Sequence, residues 1–459
     1  MKIKTTVLVV FLFITSLLQA QKLQRKGSLG IGLYTNTPDS VIQKLHYTTG
    51  CVAHTIYPNT TAASIGLQPN DIIIKANDKA IIQPVEILAF AKTLRANEDI
   101  RVTVLRNGEE IILKGKVVEK PKEKSETADI VYGEFAYNKG YVRTIYKTLK
   151  NAKPIGTIYF IQGLPCYSMD NFQALDKTKQ ALDAMVDRGF AVYRMEKADM
   201  GDNMGQNNCE GMGFTEELAM YVAGYKNLLT LKNVDTSKIF LFGHSLGGIV
   251  APIVAQQFQP KGVVVYGTGF KPWMDYLMDA FLIQSQYYGQ DLGMLRDTLE
   301  SIKPYIYDYF YGKKTLEETV NDPKGLFAMQ CIMSYNPQTK LAASGRSPQF
   351  MKEVNEHNLA KAWGNYKNYV LAIYGEADIA ANNADDHIAL INYINKVEPQ
   401  KGTFWLAPKT THTFEEIGTM QDYINWQKDV PAYLKYAATK FNDKVFDYTC
   451  NWIKEILKK

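Results

Sequence analysis

The chain has 459 residues, 46% hydrophobic and 22% charged, with 52 basic against 47 acidic side chains. Single domains mostly run to about 100 to 250 residues, so this composition belongs to a folded globular protein with more than one core and excludes a disordered chain. The charges are spread along the sequence without a basic cluster, which gives no footprint for nucleic acid.

In chain order, residues 1–20 read as a secretory signal: Lys2 and Lys4 precede an apolar run from Val7 to Leu18, and Ala20 stands at the cleavage edge. The run is shorter than the roughly 20 apolar residues that span a bilayer. No membrane span is therefore expected after cleavage, an uncleaved anchor being the alternative, and the mature chain is expected to be secreted or periplasmic. Such a compartment permits disulfides among the five cysteines, at 51, 166, 209, 331 and 450, but the sequence does not fix their pairing.

From 27 to 119 the pattern is short strands, turns and one helix. SLGIGLY and CVAHTIY read as strands, and Asn107-Gly108 joins IRVTVL to EEIILKGKVV as a two-residue hairpin. Pro84 to Leu94 is predicted helical, with Val85, Leu88, Ala91 and Leu94 on its apolar face. Two stretches carry a family likeness: GIGL at Gly30 to Leu33, and AASIGLQPNDIIIKANDKAI at Ala62 to Ile81. They resemble the carboxylate-binding loop and the AxxAGLxxGDxIxxING stretch of PDZ domains. Asn70 replaces a usual glycine, a departure that an αL-tolerant residue absorbs. The resemblance implies that backbone N–H groups of Ile31, Gly32 and Leu33 hold the C-terminal carboxylate of a peptide added as a strand. The alternative is that this unit packs on its neighbour and binds nothing.

Residues 120–128, with the charged run PKEKSET, are the expected linker. Beyond it two strand-like stretches, Val131 to Tyr137 and Tyr141 to Leu149, lead into a regular alternation. GTIYFIQG, FAVYRM, KIFLFG and GVVVYG are buried-strand runs, separated by helical patterns at Phe172 to Arg188, Thr215 to Leu231 and after Gly247. This is the signature of an α/β fold with a mostly parallel sheet and helices on both faces. The rhythm is interrupted from about 270 to 365 by aromatic-rich, helical sequence, expected as a cap. It resumes with YVLAIYGEAD, a helix at Ala384 to Val397, the strand TFWLA and a final helix from Val430 to Leu457.

GHSLG at Gly243 to Gly247 places Ser245 between a strand and a helix, the context in which GxSxG forms a nucleophile elbow. A serine hydroxyl needs a base, and the base needs an orienting acid. His46 and His54 lie in the first unit, His244 is the variable residue of the motif and His357 belongs to the insert. His387 opens a helix, whereas His412 lies in a loop after the last strand, where such sheets build sites. Asp378 ends the turn GEAD after the preceding strand, with Glu376, Asp385 and Asp386 as rivals.

The order Ser245, Asp378, His412 and its spacing resemble the α/β-hydrolase superfamily over 129–459. The resemblance implies a nucleophile at Ser245, a general base at His412 and an orienting acid at Asp378. It implies an oxyanion hole from the backbone N–H groups of Leu246 and Leu164, the latter in QGLPC where many relatives have HG or HGG. It also implies that Cys166 and Cys209, after neighbouring strands, pair; closing that loop would contribute roughly 4 kcal/mol in the chain-entropy model. Cys331 and Cys450 have no Cys/His cluster around them, so neither a metal site nor a cofactor is expected.

The expected activity is a secreted serine hydrolase acting on a small-molecule ester. Two rivals stand beside it: a serine peptidase or aminopeptidase whose PDZ-like unit engages peptide ends, and an inactive hydrolase that serves as a peptide-binding module.

Overall fold

The computed structural model describes residues 23–34, 37–45, 49–170 and 172–459. The expected signal segment and His46 lie outside them. Near the amino end, strands β1 (Ile31–Leu33), β2 (Cys51–Ile56), β3 (Ile72–Ala76), β4 (Lys79–Ala80), β5 (Asp99–Arg106) and β6 (Glu109–Lys116) form an antiparallel sheet. Its order is β1-β2-β3-β5-β6, with β4 on β3. Helices α1 (Asp39–Leu45), α2 (Thr61–Ser64) and α3 (Pro84–Thr93) accompany it. Asn107 and Gly108 turn β5 into β6 with φ of +54° and +85°, the left-handed pair that a tight hairpin requires.

The face of α3 differs from the expected one. Val85 and Leu88 are 62% and 60% exposed, while Ile87 and Phe90 pack with Leu94 under the sheet. Two overlapping apolar stripes run along this helix, and the sheet selects the one that carries the larger aromatic side chain.

The second sheet holds β7 (Ala128–Tyr137), β8 (Gly140–Leu149), β9 (Thr157–Ile161), β10 (Ala191–Met195), β11 (Ile239–His244), β12 (Gly262–Tyr266), β13 (Tyr369–Ala377) and β14 (Gly402–Thr411). The order is β14-β13-β12-β11-β9-β10-β8-β7. From β10 through β9 to β14 the pairs are parallel, and the β7–β8 hairpin adds antiparallel strands at one edge. Every residue of β9, β10, β11 and β12 is buried, because both faces are covered. Alternate side chains go to opposite layers: Tyr159, Leu241 and Val263 meet α5 (Phe214–Leu229) and α6 (Gly247–Phe258), while Phe160, Phe242 and Val264 meet α4 (Lys177–Asp187) and α16 (Lys444–Leu457).

Between β12 and β13 the chain forms α7 (Trp273–Tyr287), α8 (Leu292–Phe310), α9 (Leu316–Val320), α10 (Pro323–Met333), α11 (Pro348–Asn355) and α12 (Leu359–Asn365). Helix α13 (Asp385–Val397) joins β13 to β14. The helix expected from Phe172 begins only at Lys177, because the Asp176 carboxylate caps it by accepting from Lys179 N, and Leu175 is left exposed. The single final helix expected from Val430 is instead α15 (Val430–Ala437) and α16, preceded by α14 (Met420–Trp426). The break follows from Asn442, whose side chain turns inward to donate to Thr410 Oγ1 at 2.7 Å. Among the described residues no helix is long and apolar enough to cross a membrane.

Residues 120–127 carry no helix, yet they are anchored. Glu123 is buried, at 2.7 Å from Lys147 Nζ and in contact with Arg194. Arg25, ahead of β1, reaches the other sheet: its guanidinium pairs with Asp170 and Asp202, and donates to the carbonyls of Lys120 and Pro121. Removing one member of a buried ion cluster strands the others, at a cost of about 3–5 kcal/mol. Arg25→Met should therefore lower the urea midpoint of the whole chain and open 120–127 to limited proteolysis. Unchanged protease resistance with an unchanged midpoint would contradict the anchoring role.

Candidate active site

β11 passes into α6 through Ser245, whose φ of +56° lies in the left-handed region. A non-glycine residue held there costs about 1–3 kcal/mol unless its surroundings dictate the conformation. Here they do: Ser245 N donates to Tyr266 O at 2.9 Å, and Gly248 N donates to Ser245 O at 2.8 Å. The glycines around it are set by space. A Cβ on Gly243 would lie 2.4 Å from Gly247 O, and one on Gly247 would lie 2.1 Å from Ile161 O.

Asp378 directly follows β13 and is fully buried. Its carboxylate accepts from Ala381 N at 3.0 Å and sits 2.9 Å, by either oxygen, from Nδ1 of His412, which directly follows β14. Gly267, at φ +60°, backs this pair so closely that a Cβ would lie 2.5 Å from Asp378 Oδ2 and 2.8 Å from His412 Nδ1. Tyr266 Oη donates to Thr411 O at 2.5 Å and fixes the approach to His412. The rival acids are engaged elsewhere: Glu376 accepts from Lys409 N, and Asp386 accepts from Phe270 N and pairs with Lys271, while Asp385 is exposed.

Ser245, Leu246, Gly163, Leu164 and His412 line one cavity of about 800 Å³. Helix α7 supplies much of its other wall through Trp273, Tyr276, Leu277 and Phe281, and α10 adds Cys331 and Ile332. Among the described residues, Asp176 is the only Asp, Glu, Lys or Arg in its lining. The Ser245 hydroxyl makes no hydrogen bond among the described residues, and neither do the N–H groups of Leu164 and Leu246. Gln162 Nε2 donates to Tyr167 O at 3.2 Å and braces the Gly163–Leu164 turn from below. Cys166 and Cys209 form a disulfide beside it, and Cys51, Cys331 and Cys450 are free. Among the described residues no group of three or more His, Cys, Asp or Glu is arranged to hold a metal ion.

The histidines at the site are shifted in opposite directions. Burial alone would lower His412, but the Asp378 carboxylate more than offsets it and leaves the imidazole above its ordinary value. His244 is pushed down to about 3 by burial, with the neighbouring His412 adding to the fall. Neutral His244 donates from Nε2 to His412 O at 2.8 Å, tying the loop of His412 to the elbow. His387, pushed down to about 4 by burial, accepts from Thr268 N at 3.0 Å. Sequence reasoning misses the structural role of His244, a variable motif residue; its place one residue before Ser245 is the available signal. Ile31, Gly32 and Leu33 make up β1 of the first sheet and are not among the residues that line this cavity.

No protein-family model matches the chain. The magnetosome formation protease MamE of Magnetospirillum gryphiswaldense is 37% identical over 60 residues, 13% of this chain and 8% of that protein. MamE of Paramagnetospirillum magneticum is 35% identical over 54 residues, 12% of this chain and 7% of its own length. The chain thus matches less than a tenth of these curated relatives. Among solved structures, Est1E of Butyrivibrio proteoclasticus superposes with a TM-score of 0.43 at 12% identity, covering 72% of this chain and 99% of that one. An acylaminoacyl peptidase of Pyrococcus horikoshii gives 0.40 at 12% identity, covering 75% and 55%.

Histidine ring resonances followed against pH should show His412 titrating above its ordinary value of about 6.5, while His244 and His387 stay neutral down to about pH 5. Asp378→Asn removes the charge that raises His412, so its midpoint should fall below that of the parent. A midpoint unmoved by Asp378→Asn would contradict the pairing.

Proposed function

We propose that the protein is a serine hydrolase that cleaves carboxylic esters through an acyl-enzyme. The observation that carries this reading is the left-handed Ser245 opening into the same cavity as His412, whose ring is paired with the buried Asp378. His412 Nε2 takes the proton of Ser245 as Oγ bonds to the carbonyl carbon, and the carbonyl oxygen becomes an oxyanion. The N–H groups of Leu246 and Leu164, which meet no other acceptor among the described residues, hold that oxygen. The C–O bond to the leaving alcohol breaks as His412 returns the proton to it. Water, deprotonated by His412, then releases the acid and restores Ser245.

The aromatic, nearly uncharged lining of the cavity supports a neutral ester with an apolar acyl or aryl group. Its one carboxylate, Asp176, already caps α4, so the recognition of a peptide ammonium group has little support there. The signal-like residues 1–20 and the Cys166–Cys209 disulfide support a secreted or periplasmic chain.

A second reading concerns the amino-terminal sheet, a PDZ-like unit within 27–119. β1 is its terminal strand, and its outer edge offers the backbone groups that an added peptide strand needs. A free peptide C-terminus would then lie at Ile31, Gly32 and Leu33. Binding that is lost when the peptide is amidated would support this reading.

A fluorophosphonate probe should label the wild type and fail on Ser245→Ala. No labelling of a folded wild type would leave a binding protein as the better account. Because the general base must be neutral, ester turnover should rise with pH through the raised value of His412. Asp378→Asn should move that limb to lower pH and reduce kcat by about 10⁴. Parallel assays on short acyl esters and aminoacyl amides should show faster ester turnover.

A further inference from the structure

Behind the Gly163–Leu164 turn lies a cluster that the proposed chemistry does not use. Lys197, two residues past β10, has no exposed surface, and its Nζ donates to Gly163 O at 2.6 Å and to Leu164 O at 3.1 Å. It also pairs with Glu217 of α5 at 3.1 Å. The other oxygen of Glu217 lies 2.7 Å from Arg346, which reaches in from the turn before α11 and donates to both sulfurs of the Cys166–Cys209 disulfide. Two fully buried cations thus share one carboxylate. Such an arrangement opposes folding, because one carboxylate balances only one of the two cations and the other remains as excess buried charge. Burial pushes Lys197 down to about 8, with Glu217 partly restoring it and Arg346 adding to the fall.

The Gly163 carbonyl that accepts from Lys197 belongs to the same peptide unit as the Leu164 N–H. In a trans peptide the two groups point in opposite directions, so an ammonium fixed on the oxygen turns the N–H the other way. Gly163 and Leu164 line the cavity, which Lys197 does not, and a Cβ on Gly163 would lie 3.0 Å from the Cβ of Ser245. A hydrogen bond donated to the carbonyl also polarises the amide and strengthens its N–H as a donor.

We propose that Lys197 is a positioning residue, a buried ammonium that orients and polarises the Gly163–Leu164 peptide so that the Leu164 N–H is presented to the oxyanion. This rests on the reading of Ser245 as a nucleophile. The test compares wild type, Lys197→Met and Lys197→Gln by ester kinetics and by inhibition with an aryl trifluoromethyl ketone, whose adduct places an oxyanion in the same position. Met keeps the volume without charge or donor. Gln keeps one neutral donor and serves as the second variant if Met prevents folding.

Deleting an oxyanion donor outright costs about 10² to 10³ in rate, so loss of its orientation should lower kcat by about 10- to 100-fold with KM within about twofold. Affinity for the ketone should fall by the same factor as kcat/KM. A merely structural role would lower the folded fraction and the melting temperature while leaving kcat per folded molecule and ketone affinity unchanged, and that result would overturn the proposal. If the wild type itself neither turns over esters nor binds the ketone, the reading of Ser245 fails, and this one fails with it.

Discussion

The backbone at Ser245 is the constraint from which the rest of the site follows. A fully buried strand gives way within two residues to a helix whose first turns are buried, and Ser245 makes the change with a left-handed backbone. That turn needs Gly243 and Gly247 without side chains, because Gly247 lies against the carbonyl of Ile161 at the end of β9. The same close approach brings the Gly163–Leu164 turn beside the serine. Close packing of two parallel strands and one helix therefore brings Ser245 and the Gly163–Leu164 turn to the same cavity. After the next strand, β12, Gly267 has a matching role, for its missing Cβ admits the Asp378–His412 pair.

Burial then sorts the charges. His244 and His387 are buried and His412 is half-buried, but only His412 is in direct hydrogen-bond contact with a carboxylate, so only His412 is held above its ordinary value, while the weaker pull of Asp378 on the other two does not offset their burial. The other two act as neutral hydrogen-bonding spacers, one donating to the His412 carbonyl and one accepting from Thr268. On the other side of the serine, Lys197 and Arg346 are held as cations against Glu217 and the disulfide. The cavity between these two walls carries little charge of its own.

Much of this is legible in the sequence where the signal is local. The buried strands, the elbow at Ser245, and the placing of Asp378 and His412 just past strand ends each depend on a few consecutive residues. What depends on distant partners is not legible. Which stripe of α3 faces inward is decided by the sheet beneath it, so the stripe through Val85 and Leu88, apolar as it is, faces solvent. The late start of α4 follows from the cap at Asp176, and the break before α16 from an Asn442 contact that crosses to β14. Arg346 and Glu217 meet across 129 positions, and no pattern of spacing announces such a pair. Residues 120–127 read as a solvated linker because their charge is visible in the sequence, whereas the buried partners of Glu123 are not.

Central to the proposed chemistry is a nucleophilic Ser245 whose oxyanion is received by the N–H groups of Leu164 and Leu246. A crystal structure of the protein after reaction with a fluorophosphonate tests this most directly, because the phosphoryl oxygen stands where the oxyanion would form. The expected result is a covalent bond from Ser245 Oγ to phosphorus, with the phosphoryl oxygen at about 2.7–3.1 Å from both nitrogens. An adduct on another residue, or one whose phosphoryl oxygen points away from Leu164 and Leu246, would contradict it.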